Sequence, residues 1–186
     1  HARAGHDAVL ATAETIAVMK VRMGEACAGQ FQPLDLGAPL GIANVTVRLA
    51  PAGHILGSAQ VVIDHRGQRA VVSGDYKRRP DPTAVSFEPV HCDLFVTEAT
   101  FGLPVFRHEP DAREIGRLLA SCAAFPERTH LVGVYGLGKC QRLIALLRRA
   151  GYDQPIWLHG ALKGLCDLYG ALGIELGALS LVADAS

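Results

Sequence analysis

Apolar and polar positions divide the chain into a β-rich first half and a second half in which strands and helices alternate. Val9-Leu10-Ala11 is a short apolar run leading into Thr12, with Glu14 two residues on. A threonine hydroxyl caps a helix well, and an acid in the first turn suits the helix dipole. A helix over Ala13–Met23 is therefore predicted, closed by Gly24. Residues 27–43 read as loop with short extended pieces. Val45, Val47 and Leu49 alternate with polar neighbours, the pattern of a half-buried strand. Ala59–Asp64 and Arg69–Ser73 are β-rich runs split by His65-Arg66-Gly67-Gln68, which predicts a hairpin. Residues 76–89 form a loop with three prolines and the basic run Lys77-Arg78-Arg79. Leu94-Phe95-Val96 reads as a short buried strand.

The character changes near Pro104. Asp111-Ala112-Arg113-Glu114 has the spacing of a capping box, and Ile115, Leu118, Leu119 and Cys122 follow it at helical intervals. His130–Tyr135 reads as a strand, Gly136-Leu137-Gly138 as a turn, and Lys139–Ala150 as a helix stopped by Gly151. A strand over Pro155–Leu158 and a helix over Ala161–Leu172, ended by Gly173, complete the series. Strand-helix-strand-helix at this pitch argues for parallel α/β packing. The boundary between the halves falls between residues 100 and 110. There is no internal repeat.

Composition narrows the classes. Of 186 residues 49% are apolar, enough for a sizeable core, and the formal net charge is zero. A bulk polycation is excluded, so nucleic acid would be met by a local patch. No apolar run is long enough to span a membrane. The five cysteines form no close pair, which fits a reducing cytoplasm better than a disulfide framework. The chain opens on His1 instead of Met, and Leu181–Ser186 ends without a terminal element. A fragment of a longer protein is the expectation.

Three segments carry candidate chemistry. Pro51-Ala52-Gly53-His54-Ile55-Leu56-Gly57-Ser58-Ala59-Gln60 places a histidine between two glycines beside a strand. Val71-Val72-Ser73-Gly74-Asp75-Tyr76 places an aspartate, and Phe95-Val96-Thr97-Glu98-Ala99-Thr100-Phe101-Gly102 a glutamate, just past apolar runs. Taken singly, His54 also suits a turn cap, Asp75 an Asx turn, and Glu98 a solvated strand end. Tyr135-Gly136-Leu137-Gly138-Lys139-Cys140-Gln141-Arg142 sets a glycine turn at a helix N-terminus, where free N–H groups favour an anion. Its spacing is not that of a P-loop, and a tight turn with solvated charges is the plainer alternative.

Together these segments resemble the metallo-β-lactamase-fold nucleases that carry a β-CASP cap, and among them the bacterial ligase-associated DNA exonucleases. The likeness runs through Pro51–Gln60, Ser73–Arg78, Thr97–His108 and Tyr135–Arg142, and more weakly through His1–Met19. It implies an α/β fold, a partial metallo-β-lactamase αβ/βα sandwich over residues 1–103 with a partial inserted β-CASP cap over 104–186. It implies His1, His54 and Asp75 as metal ligands, with Asp75 bridging two zinc ions. Asp75 and Glu98 would be the catalytic acids, Glu98 orienting water or a ligating imidazole. Lys77, Arg107, Lys139 and Arg142 would contact nucleic acid or phosphate. The family's His-x-His-x-Asp-His motif meets this chain only at its last histidine, His1, and a further histidine expected beyond the cap has no counterpart. The fragment is expected to carry part of the ligand set and to be inactive alone.

The implied activity is DNA exonuclease chemistry, phosphodiester hydrolysis by a two-zinc hydroxide in DNA repair, in the cytoplasm. DNA is the implied partner, as a single strand or an end, together with an ATP-dependent DNA ligase and a helicase. The alternatives are a β-CASP RNA nuclease acting in RNA processing and a metallohydrolase of small esters or lactams. His6 is placed near the site without binding metal, His65 and His91 on the surface, His159 at a strand end, and Trp157 in the core.

Overall fold

In the computed structural model, residues 3–184 are described. The chain forms two units that divide between Glu98 and Ala99.

The first unit is built on strand pairing. β1 (His6–Ala11) and β2 (Ala28–Pro33) pair in parallel, with α1 (Ala13–Met23) as the crossover. The Thr12 hydroxyl accepts from Thr15 N at 3.2 Å, and Gly24 N–H closes the helix on Lys20 O at 2.8 Å. Both ends of α1 are those the sequence predicts. β2 and β3 (Leu40–Ile42) lie where loop was expected, because Phe31 stands alone among polar neighbours and gives no period of two to read.

A five-stranded sheet follows in the order β3-β4-β5-β6-β7, with β4 (Val45–Pro51), β5 (Ala59–His65), β6 (Gln68–Val72) and β7 (Leu94–Val96). β4, β5 and β6 are antiparallel neighbours, and β7 joins β6 in parallel. Arg66 and Gly67 turn the β5–β6 hairpin with φ of 49° and 79°. Two positive φ values make this the primed turn whose twist matches flanking strands. Ala50, Val62 and Val71 are wholly buried at the centre of the sheet, with Val90 and Cys92 against them. β7 is not the buried strand expected. Leu94, Phe95 and Val96 are 57%, 44% and 50% exposed, since β7 is the last strand of its sheet.

The second unit holds α2 (Asp111–Ala124), α3 (Lys139–Arg149), β8 (Ile156–Leu158), α4 (Gly160–Ala171) and β9 (Leu179–Leu181), ending in a 3₁₀ turn at Val182–Asp184. β8 and β9 pair in parallel around α4, a βαβ unit. α3 buries Cys140, Ile144 and Leu147 along one face. Tyr169 of α4, with no exposed surface, and Leu158, Leu165 and Leu176 are also buried.

Three expectations fail here. The capping box does not form, because Pro110 takes the N-cap position and the Asp111 carboxylate instead receives Arg142 Nη2 at 2.6 Å. Residues 130–135 form no strand. Leu131 is 92% exposed, so the apolar run has no sheet to join. Trp157 is half exposed instead of buried, because β8 has β9 as its one partner and Trp157 lies between the more buried Ile156 and Leu158.

Candidate metal centre

The topology decides where the polar residues go. β4 and β6 are each antiparallel to β5, so they run the same way, and β7 runs with β6. The C-terminal ends of β4, β6 and β7 therefore share one end of the sheet. His54, Asp75 and Glu98 each lie two or three residues past one of those ends.

The loop after β4 is bent and then fastened. Gly53 and Gly57 take φ of 69° and 75°, a left-handed backbone that glycine adopts at little cost. The Thr12 and Thr15 hydroxyls donate to Gly57 O at 2.7 and 2.8 Å. Ser58 Oγ accepts from the N–H groups of His54 and Ile55 at 3.0 and 3.1 Å. Buried Gln60 donates to Pro51 O and Glu88 O at 3.0 and 2.8 Å, which ties the 76–89 loop to the end of β4.

The Asp75 loop is held on its other side. Ser73 N–H donates to Val96 O at 2.9 Å, and Ser73 Oγ lies 3.2 Å from Thr97 Oγ1, so the ends of β6 and β7 are locked together. The Tyr76 ring packs 5.2 Å from Phe87 and edge-on at 6.4 Å from Phe95.

His54 Nε2 and Asp75 Oδ2 face each other at 3.9 Å, with the two side chains 41% and 52% exposed. That span exceeds a hydrogen bond. Two ligands on one tetrahedral zinc, each about 2.0–2.2 Å from the metal, sit roughly 3.3–3.6 Å apart. A small side-chain rotation closes the difference. Partial burial lowers the His54 pKa below its usual value, outweighing the opposing field of Asp75, with Lys77 lowering it further and Asp81 and Glu98 raising it. The pair is thus better described as a neutral imidazole beside a carboxylate than as an ion pair, and neutral imidazole is the form that binds metal. That Glu98 contributes to the field at His54 agrees with its place at the same sheet end. The donors fit a divalent cation. Among the described residues, however, no group of three or more His, Cys, Asp or Glu side chains is arranged to hold one. His1 lies outside the described residues.

Two further residues shape this loop. Asp81, with its side chain 1% exposed, accepts from Thr83 N and Thr83 Oγ1 at 2.8 and 2.7 Å and pairs with the Lys77 ammonium. Lys77 Nζ also lies 3.5 Å from His54 O. Lys77, expected to contact phosphate, is bound inward to this loop. Sequence reasoning passed over Asp81 and Thr83, although Asp-Pro-Thr in a proline-rich loop is an Asx-turn signal.

The remaining candidates lie in the second unit. Arg107 is exposed ahead of α2, and His108 packs edge-on at 5.4 Å from Phe101. Arg142 is engaged with Asp111, and Lys139 Nζ lies 4.7 Å from the Tyr135 ring centroid. His159 Nδ1 accepts from Ala161 N at 3.2 Å, which makes it the N-cap of α4. In the first unit, His6 opens β1 and is exposed, His91 is exposed, and His65 at the end of β5 is half-buried.

No protein-family model matches the chain. It is 30% identical over 174 residues to a probable DNA ligase of Opitutus terrae, an alignment covering 92% of this chain and 17% of the relative. It is 31% identical over 150 residues to Endoribonuclease YSH1 of Gibberella zeae, covering 75% of this chain and 18% of the relative. A third relative, named "Uncharacterized protein in lig 3'region", from Acidianus ambivalens, is 26% identical, with 73% of this chain aligned to 94% of the relative. The chain spans less than a fifth of the first two relatives. With its motifs in order and relatives of these two kinds, the chain belongs to the metallo-β-lactamase-fold nucleases that carry a β-CASP cap.

Proposed function

We propose that the protein of which this chain forms part is a metal-dependent nuclease that hydrolyses phosphodiester bonds, with the DNA exonuclease of ligase-associated repair as its specific form. The observation that carries this is the convergence of His54 and Asp75, 3.9 Å apart, at one end of a sheet that also delivers Glu98. His54 and Asp75, with His1, would hold the metal, taken to be two zinc ions. A divalent metal held there would lower the pKa of water and offset charge on phosphate oxygens. Asp75 contributes the negative charge that favours closely spaced cations. Glu98 accepts a proton or orients a ligating imidazole. Asp81 and Lys77 keep the backbone of His54 in place. Arg107 and Lys139 supply positive charge for a phosphate backbone, and Arg142 does so only if it leaves Asp111.

Relatives in a ligase polypeptide and beside a lig gene support DNA as substrate, with a DNA ligase as partner and a helicase as a further proposed one. A second reading, an RNA nuclease, is supported by the endoribonuclease relatives. Zinc titration followed by degradation of matched single-stranded DNA and RNA tests both. Zinc-dependent loss of DNA from its ends is expected. Preferential cleavage of the RNA would move the assignment to the second reading, and absence of zinc binding by the full-length protein would overturn both.

A further inference from the structure

The Gly136-Leu137-Gly138 turn is built from the inside. Gln141, wholly buried, accepts from Gly138 N–H at 2.9 Å and donates to Gly136 O at 3.0 Å. Cys140 N–H donates to Tyr135 O at 3.1 Å. Gly138 holds a φ of 82°, and a Cβ on Gly136 would lie 3.3 Å from Leu162 of α4. The backbone that carries Tyr135 is therefore fixed by buried groups, and the ring takes no part in holding it. The Tyr135 residue is 73% exposed.

The segment that carries that ring is basic in sequence. From Arg128 to Tyr152 the chain has no carboxylate and five basic residues, Arg128, Lys139, Arg142, Arg148 and Arg149. Arg142 is committed to Asp111, and Arg148 donates to the carbonyls of Tyr152, Gln154, Leu176 and Ala178. Lys139 makes no ion pair among the described residues and lies over the Tyr135 ring, 4.7 Å from its centroid. With Lys139 over the ring and the residue still 73% exposed, much of the anchored ring is open to solvent. An open π-face beside an ammonium matches a ligand that carries a flat π-system next to an anion.

We propose that Tyr135 and Lys139 form a single-strand platform, on which a nucleobase stacks against the open face of Tyr135 while the adjoining phosphate meets Lys139. This rests on the nuclease reading above and adds a base contact to it. Stacking of this kind is tolerant of sequence, because every base has a π-face. A tyrosine with two side-chain torsions loses little entropy on binding.

The test uses fluorescence anisotropy with the metal-loaded protein and two phosphorothioate oligomers of one length, oligothymidine and an abasic chain with the same backbone charge. The wild type is expected to prefer oligothymidine. Tyr135→Ala should weaken oligothymidine binding roughly 5- to 150-fold and leave the abasic oligomer unchanged, while Tyr135→Phe binds as wild type. Lys139→Met should reduce the slope of log affinity against log salt by about one for both oligomers. Equal losses on the two oligomers in Tyr135→Ala, or no loss on either, would overturn the platform, as would an unchanged salt slope in Lys139→Met. A wild type that cleaves DNA but binds both oligomers equally keeps the nuclease reading and sinks the platform alone. One that prefers oligothymidine but never cleaves does the reverse.

Discussion

Asp81 is the residue on which the His54 loop can be tested most sharply. Its carboxylate is almost wholly enclosed, and its contacts include two from Thr83 at 2.8 and 2.7 Å and the Lys77 ammonium. Asp81→Ala removes the acceptor for two donors of Thr83, itself 1% exposed. Each buried donor left unmet costs about 1–3 kcal/mol. Lys77 is 22% exposed, so water partly rescues its charge, and its share is about 1 kcal/mol. The total is roughly 3–7 kcal/mol, a large fraction of the stability of an ordinary domain. Asp81→Asn keeps an oxygen for both Thr83 donors and loses the charge pair, about 1–2 kcal/mol. At about 4–8 °C per kcal/mol for a domain of this size, Tm should fall by roughly 4–16 °C in the amide variant and further in the alanine variant. Thermal unfolding by circular dichroism reads both, and zinc titration of the amide variant at low temperature reads the effect on His54. If the two variants fall equally, the Thr83 bonds contribute nothing, and if neither falls by more than about 2 °C the buried pair is not holding this loop.

Other outcomes follow from the same geometry. Gly57→Ala places a Cβ 2.6 Å from Glu14 Cβ and 2.7 Å from Thr15 N at a φ of 75°. A loss of about 2–4 kcal/mol from strain and displacement is expected, seen as a lower midpoint in urea. His54→Ala and Asp75→Asn should each abolish zinc-dependent cleavage by the full-length protein while far-ultraviolet circular dichroism stays unchanged, because both side chains are about half exposed and hold no core. Gln141→Ala should cost about 2–4 kcal/mol, since it leaves Gly138 N–H and Gly136 O without their buried partner; thermal unfolding checks it. The stretch of residues 1–186 by itself should bind zinc more weakly than the full-length protein, because the described residues bring only His54 and Asp75 within reach of one ion; isothermal titration compares the two.

Which parts of this arrangement were legible beforehand depended on whether a local rule governed them. α1 was read to the residue because a hydroxyl cap, an acidic first turn and a closing glycine are all local. The β5–β6 hairpin was read because two β-rich runs flank a glycine turn. The 130–135 segment was misread because Leu131, Val132 and Val134 look like a strand, yet strand formation needs a neighbour that no local pattern supplies. β7 was recognised as a strand but assigned the wrong burial for a related reason, since exposure depends on what lies beyond it in the sheet. His54, Asp75 and Glu98 were singled out by their motifs, and the strand order brings them to one end of the sheet. Asp81 was passed over because its role comes from enclosure, and enclosure is a tertiary property of Gln60, Glu88 and the loop between β6 and β7.

The distance between His54 and Asp75 is itself set by a turn at the far end of the sheet. The two residues lie beyond the ends of β4 and β6, and those strands meet only through β5. Arg66 and Gly67, both at positive φ, hold His65 opposite Gln68, and from that pairing Val61 falls opposite Val72. A slip of one residue would turn every β6 side chain to the other face of the sheet. Val71 would leave the core it shares with Ala50 and Val62, and the chain beyond Val72 would present Gly74 where Asp75 now stands. The primed turn and the buried valines therefore select the same register, one through backbone twist and the other through burial. Asp75 faces His54 because that register leaves its carboxylate on the side of the imidazole.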